Sequence, residues 1–356
     1  MSKRMDHRGG EGRGEDAHSL SAALKAEDRG GPAQPMLIVE GLQKHFPLSG
    51  GGAVRAVDGV SFSVAKGETL GVVGESGCGK STLARLLLHL ILPDKGELVF
   101  DGEQVGTPRG ITLQNLRRQA QMVFQDSASS LNPRMPVRDS VAFGPLVLGR
   151  SRRQAADEAN ECLRRVGLDP MQFGPRYPHE LSGGQKQRVN IARALALNPR
   201  LVILDEAVSA LDKSVEAQVL NLLATLKRQL GLTYIFISHD LNVVRHVSDR
   251  VLVMYLGCVA EAGPAEAVFA NPLHPYTRAL LASRLSMDPD HRVAAAPITG
   301  EPPSPANPPS GCRFRTRCPH AERVCADHVP APPDPTLHDA ACHMLRPGSR
   351  HSEAAA

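Results

Sequence analysis

An α/β fold built on a parallel sheet is the architecture this sequence predicts, on three observations. Short apolar runs alternate with helical patterns between Thr69 and Met254, the signature of successive βαβ units. A Gly-rich loop, residues 74–81, lies between such a run and a helical pattern. A second apolar run, Leu201 to Leu204, ends in the acidic pair Asp205-Glu206.

The elements follow in chain order. Residues 1–35 hold few apolar side chains and many glycines and charges, and read as a disordered tail. Met36 to Glu40 is a short apolar strand. The run Gly50 to Gly52 is a turn. Val54 to Val64 alternates apolar and polar residues as a half-buried strand does. Thr69 to Val73 is a buried strand, and the apolar helix after the loop runs from Lys80 to Leu92. Glu97 to Phe100 and Gln121 to Phe124 are further strands. From about 126 to 198 the character changes: Ala-rich helical patterns, among them Gln154 to Val166, are punctuated by prolines and predict a helical subdomain. Strand (Leu201 to Leu204), helix (Val215 to Leu230), strand (Thr233 to Ile237), helix and strand (Arg250 to Met254) then alternate. From Asn271 the composition shifts again. A helix from Pro275 to Leu285 precedes a Pro-rich segment and a cluster of cysteines, and residues 346–356 read as a second disordered tail.

Composition narrows the function. The 356 residues are 42% hydrophobic and 22% charged, an ordinary soluble balance with ample material for a core. A net charge of +4, without a long basic tract, gives no ground for a nucleic-acid partner. No apolar run reaches bilayer-spanning length, and the first 31 residues lack a signal peptide's apolar core. The expectation is a chain that stays in the cytoplasm and meets a membrane only through other subunits.

Gly74-Glu75-Ser76-Gly77-Cys78-Gly79-Lys80-Ser81 fits G-x4-G-K-[ST], in the strand-to-helix context that the motif requires. Its glycines let backbone N–H groups curl round phosphate oxygens, and the helix N-terminus adds a favourable dipole. Lys80 is placed to reach the β- and γ-phosphates, Ser81 to ligate Mg²⁺ and Thr82 to steady the loop. Cys78 reads as a small filler. At the acidic strand end Asp205 is placed to hold Mg²⁺ through water, and Glu206 to polarise the attacking water. His239 ends a further strand at the carboxyl edge of the sheet, where ligands bind, and is a candidate γ-phosphate contact.

Leu181-Ser182-Gly183-Gly184-Gln185 resembles the LSGGQ signature of ABC ATPases, a second Gly-rich turn that opens a helix and presents Ser182 to an anion. The resemblance runs over residues 36–270 without a large insertion. It implies a RecA-like parallel core with an antiparallel β subdomain and a helical subdomain, ATP and Mg²⁺ as ligands, and two nucleotides buried between two head-to-tail subunits. It implies that Phe46 stacks on adenine. Gln125 is the glutamine linking Mg²⁺ and water to the membrane subunits, Asp212 lies in the loop coupling the two sites, and His239 is the switch histidine. Two departures are Ala207, where the family has proline, and Lys213, where it has a small apolar residue; neither removes Glu206.

Three further segments look like the peptide and nickel importer branch. They are Ser130-Leu-Asn-Pro-Arg134, Asn271-Pro-Leu-His-Pro-Tyr276 and Gly311-Cys312-Arg-Phe314-Arg-Thr-Arg317-Cys318. This makes residues 271–345 an oligopeptide-transporter-type extension. The Glu-Ser-Gly-Cys stretch of the loop resembles the F-type rather than the D-type subunit. The resemblance therefore implies a heterodimer with a D-type paralogue, two integral membrane permease subunits, a substrate-binding protein, and a peripheral place on the cytoplasmic face of the inner membrane. Peptides, nickel chelates and related small solutes stay open as cargo. A soluble, non-transport ABC ATPase is the rival class, disfavoured by the single core and the absence of a coiled-coil insertion. Cys312, Cys318, Cys325 and Cys342 can hold zinc or an iron–sulfur cluster, or stand as free thiols. Their gaps lack the Cys-x2-Cys pairs of zinc ribbons, and the branch implies a [4Fe–4S] cluster.

Overall fold

In the computed structural model, residues 34–126, 129–283 and 300–354 are described. The expected N-terminal tail therefore lies, apart from its last two residues, outside the described residues. Two long β-rich segments open the fold: β1 (Pro35–Pro47) and β2 (Ala53–Ala65) pair antiparallel across the Gly-rich turn. With β4 (Lys95–Phe100) and β5 (Glu103–Gln104) they form a four-stranded antiparallel sheet in the order β2-β1-β4-β5.

The second sheet carries the site. Its strands are β3 (Thr69–Val73), β6 (Ala120–Val123), β7 (Leu201–Asp205), β8 (Thr233–Ile237), β9 (Arg250–Tyr255), β10 (Cys258–Pro264) and β11 (Asp339–Ala340), in the order β11-β10-β9-β3-β8-β7-β6. The five strands from β9 to β6 are mutually parallel, and β10 and β11 close one edge antiparallel. Every residue of β3, β7 and β8 is buried, as parallel strands covered on both faces must be. Alternate residues serve two cores: Val202, Leu204 and Phe236 face the helical subdomain, and Ile203, Ile235 and Ile237 face the antiparallel sheet.

The helical subdomain consists of helices Val137–Val147, Arg152–Arg165, Pro170–Phe173 and Gly183–Leu195. Ser151 starts the second with a capping box to Gln154. The last of the four also packs on the parallel sheet, so the subdomain is anchored through the signature helix itself.

The helix after the Gly-rich loop ends at Leu87, five residues short of the predicted Leu92. The reason is a Schellman motif. His89 takes φ +48°, its N–H donates to Leu86 O at 2.9 Å, and Leu90 N–H donates to Arg85 O at 2.9 Å. Those bonds satisfy the last carbonyls and turn the chain away before Pro93. The helix Pro275–Ala282 begins where predicted; the expected continuation to Leu285 runs outside the described residues.

The C-terminal extension is built into the core. β11 adds to β10 through Glu261↔Ala340. The carboxylate of Glu261, fully buried, accepts from the N–H groups of Leu273 (2.9 Å) and His274 (2.8 Å) and pairs with His338 Nε2 at 2.9 Å. Residues 346–354 are not a loose tail, contrary to their composition. His351 is buried, its Nε2 donates to His320 O at 2.9 Å, and Ser352 N–H donates to Glu322. Among the described residues no helix is long and apolar enough to cross a membrane.

His274 caps the helix Pro275–Ala282 by accepting the Tyr276 N–H on Nδ1 at 3.0 Å. Burial pushes its pKa down to about 4. Between pH 6.5 and 4 the unfolded chain therefore binds a proton that the native chain refuses. Stability should fall as pH falls through that window, by about 3 kcal/mol in total. Thermal unfolding of the wild type and His274→Gln across pH 4–7.5 checks this. The variant should lose less stability over the same window, and parallel curves would remove His274 from the account.

Candidate active site

The carboxyl ends of β3, β8, β7 and β6 meet at one edge, and each delivers a predicted residue there. From β3 the chain enters the loop at Gly74, φ +149°, where a Cβ would stand 2.2 Å from the Met254 carbonyl. At Gly79, φ +109°, a Cβ would stand 2.1 Å from the Ala56 carbonyl. Neither position admits a side chain, because the loop is pressed onto β9 and β2. Gly79 then starts the helix Lys80–Leu87, so the free N–H groups of its first turn face the loop. Lys80 is buried and turns back on the loop, its Nζ donating to Gly74 O (2.7 Å) and Glu75 O (2.9 Å). Cys78 Sγ lies 3.7 Å from that ammonium and is buried, and burial raises its thiol pKa. This fits an inert filler.

Ser81 Oγ donates to Asp205 Oδ1 at 3.1 Å, which joins the loop to the end of β7. Burial raises the Asp205 pKa, the Ser81 hydrogen bond opposes that, and the neighbouring Glu206 adds to it. A divalent cation at the Ser81–Asp205 pair would favour the carboxylate, and the donor set, a hydroxyl and a carboxylate beside a phosphate loop, suits Mg²⁺. Glu206 takes φ +48°, which is uncommon for a side chain of its size, and is held by its own N–H to Ile237 O at 2.9 Å. That turn presents the carboxylate at the edge. Gln125 Nε2 donates to Glu206 Oε2 at 2.7 Å, and His239 Nδ1 lies 3.5 Å from the same oxygen. The three residues assigned to catalysis from the sequence thus form one contact group.

Other predicted residues lie elsewhere. Phe46 sits half-buried near the end of β1, in the antiparallel sheet, with Lys44 Nζ 5.7 Å from its ring centroid. Ser182 is exposed at the start of the helix Gly183–Leu195 and forms a capping box with Gln185. Gly184 packs against Val215. Asp212 begins the helix Lys213–Leu230. Lys213 pairs with Asp240 (2.9 Å) and Glu216 (3.0 Å), and so ties the turn after Glu206 to the residue after His239. Ala207 is buried behind Glu206.

Sequence reasoning missed the contacts that the C-terminal extension makes with the phosphate loop. Arg317 Nη1 and Nη2 donate to the two carboxylate oxygens of Glu75 at 2.8 and 3.0 Å. The Glu75 N–H donates to Tyr276 Oη at 2.9 Å. Only the unusual Phe-x-x-Arg-Cys spacing and the His-Pro-Tyr run marked these residues in advance. Beside them, Cys312, Cys318, Cys325 and Cys342 all line one small cavity of about 10 Å³, together with His320, His343 and His351. Burial, aided by the mutual repulsion of the thiols, pushes Cys312 up to about 12 and Cys318 up to about 11. Among the described residues no group of three or more His, Cys, Asp or Glu stands at metal-holding geometry. Four soft sulfur donors line this cavity, and a metal or cluster there would have to displace the protons that burial favours on Cys312 and Cys318.

The comparisons with known proteins agree with this geometry. Residues 57–209 match the family described as ABC transporter, and residues 260–325 match the oligopeptide/dipeptide transporter C-terminal region. A probable peptide ABC transporter ATP-binding protein, y4tS of Sinorhizobium fredii, is 51% identical over 88% of this chain and 91% of its own length. The oligopeptide transport ATP-binding protein AppF of Bacillus subtilis is 48% identical over 87% of this chain and 98% of its own. Among solved structures, cbiO1 from Clostridium perfringens, part of the ABC transporter complex cbiONQ, superposes with a TM-score of 0.59 at 31% identity, over 67% of this chain and 91% of that one. The dimeric, post-hydrolysis ATP-binding cassette MJ0796 with ADP and Pi gives 0.57 at 29% identity, over 65% and 99%.

Proposed function

The chain belongs to the ABC transporter ATP-binding proteins, in the branch carrying the oligopeptide/dipeptide transporter C-terminal region, and from that premise we propose that it powers uptake of short peptides. It is an ATPase of the ABC type. The observation that carries the peptide reading is the second matched region, residues 260–325, and the chain that follows it is knit into the core sheet through β11.

The proposed cycle uses the residues at the sheet edge. The phosphate loop cradles the β- and γ-phosphates while Lys80 exchanges its carbonyl contacts for phosphate oxygens. Ser81 and Asp205, with Gln125, would hold Mg²⁺, which when bound would supply positive charge against the phosphates. Glu206, oriented by Gln125, accepts a hydrogen bond from the attacking water. His239 stands beside it, toward the γ-phosphate. Catalysis is mostly positioning and charge stabilisation. Phe46 is the proposed stacking partner for adenine.

The exposed Ser182 and Gly183, at a helix N-terminus, are proposed to close on nucleotide held by a second ATPase subunit, with Asp212 in the coupling turn. That partner is proposed to be a D-type paralogue, because Glu75 to Cys78 resembles the F-type loop. A cleft of about 620 Å³ between the core and the helical subdomain is lined by Gln125, Phe124, Phe143 and Leu197. Phe143 is 56% exposed there. We assign this cleft to the integral membrane subunits, so that Gln125 reports their movement to Glu206. The chain then sits peripherally on the cytoplasmic face, and a substrate-binding protein delivers the cargo. We also propose that the four converging cysteines hold an iron–sulfur cluster, which when bound would staple segments otherwise held by packing. Iron and sulfide analysis after anaerobic purification tests it: near-stoichiometric iron and sulfide is expected, and a colourless, zinc-loaded or metal-free protein would sink the idea.

Uptake in a deletion strain tests the peptide reading. Di- to pentapeptides and, separately, nickel are offered to cells complemented with wild type or Glu206→Gln. Peptide uptake restored only by wild type is expected. Peptide uptake indifferent to the deletion would move the cargo to another solute.

A further inference from the structure

The phosphate loop contains a carboxylate, Glu75, where a triphosphate must bind. A fixed negative charge beside an anion site weakens it unless a cation neutralises that charge. The structure supplies the cation from 242 residues away: Arg317 grips both oxygens of Glu75 with two parallel hydrogen bonds of 2.8 and 3.0 Å. Arg317 is itself buried, with a further contact to Tyr255 Oη at 3.4 Å. The same residue of the loop is held at its backbone, since the Glu75 N–H is taken by Tyr276 Oη at 2.9 Å. Tyr255, Tyr276 and Phe314 form one aromatic cluster, with ring centroids 4.6 to 5.5 Å apart, and Phe314 sits in the segment between Cys312 and Arg317. Among the described residues, the C-terminal extension therefore touches the phosphate loop through an ion pair and a hydrogen bond, both on Glu75.

We infer that Arg317 and Tyr276 are positioning residues for ATP: the C-terminal extension clamps the phosphate loop and cancels the charge of Glu75, setting nucleotide affinity without touching the reacting atoms. The inference rests on the assignment of the loop as the ATP site. It makes the extension part of the nucleotide site rather than an appendage. Because Arg317 directly precedes Cys318, the packing of the cysteine pocket is coupled to the loop through the same few residues.

The test is a charge cycle in the full-length chain. Affinity for a fluorescent ATP analogue is measured for wild type, Arg317→Met, Arg317→Lys, Glu75→Gln and the double variant Arg317→Met/Glu75→Gln. KM and kcat follow in the assembled transporter. Arg317→Met should weaken binding about tenfold and raise KM, with kcat at saturating ATP nearly unchanged, because an uncompensated carboxylate is left beside the phosphates. Arg317→Lys should recover part of the loss. The double variant should recover most of it, since the offending charge is gone. Unchanged affinity in Arg317→Met would overturn the inference. So would a double variant as weak as the single, which would make the pair a purely structural tie. Absence of binding by wild type would instead overturn the ATP-site assignment, and the inference with it.

Discussion

Glu206→Gln is expected to bind ATP with near wild-type affinity and to hydrolyse it roughly 10²- to 10⁴-fold more slowly, the range for loss of a positioned general base. That corresponds to about 3–5 kcal/mol of transition-state stabilisation. The substitution keeps the shape of the side chain and removes only its basicity. Oε2, the atom facing Gln125 and His239, is where the water's proton would go. Since binding is left intact and turnover is not, kcat should fall with little change in KM. Single-turnover measurements with labelled ATP check it, and size-exclusion in ATP should show a closed dimer accumulating. Hydrolysis at the wild-type rate would mean that another group polarises the water.

Lys80→Ala should act on the opposite side of that division. The ammonium makes two charge-assisted bonds, 2.7 and 2.9 Å, to the loop's own carbonyls, and in the proposed cycle it exchanges them for phosphate oxygens. Each such bond contributes on the order of 1.5–3 kcal/mol. Loss of both should weaken ATP binding at least about a hundredfold. The removed side chain is buried, so part of the cost will appear as lowered thermal stability. Equilibrium binding of a fluorescent ATP analogue, measured beside a melting curve, separates the two effects. Binding within a few-fold of wild type would remove Lys80 from the phosphate site.

The grouping of the phosphate loop, Asp205 and Glu206 at one sheet edge was legible in the sequence because each of its members is fixed by the chain next to it. The loop between Val73 and Lys80 needs glycines at Gly74 and Gly79, where backbone carbonyls stand a little over 2 Å from any added Cβ. The strand ending at Asp205 must be apolar because both its faces are covered. Such requirements act over a few residues and leave contiguous patterns. Parallel order then brings separate strand ends to one edge without any long-range signal being read. The length of the helix after Lys80 was misjudged because apolar residues continue past Leu87. What stops it is His89 in a left-handed conformation, which no periodicity announces.

The C-terminal extension was legible in composition and not in structure. Its residues Asp339 and Ala340 add a strand to the core sheet, yet two residues carry no alternation to recognise. His351 is buried by contacts with His320 and its neighbours, 31 residues away, in a stretch whose charges and glycine suggested disorder. The grip of Arg317 on Glu75 joins two segments by side-chain geometry alone. Contacts of this kind are the ones sequence reasoning cannot see, and here they reach the site itself.

ATP turnover by the purified assembly of this chain with its partner ATPase and membrane subunits is the most direct test of the central claim. It should be measured in proteoliposomes with and without peptide-loaded binding protein. The account predicts turnover that rises with peptide-loaded binding protein, is accompanied by peptide accumulation, and vanishes with Glu206→Gln. Turnover that is indifferent to peptide, or that survives Glu206→Gln, would contradict it.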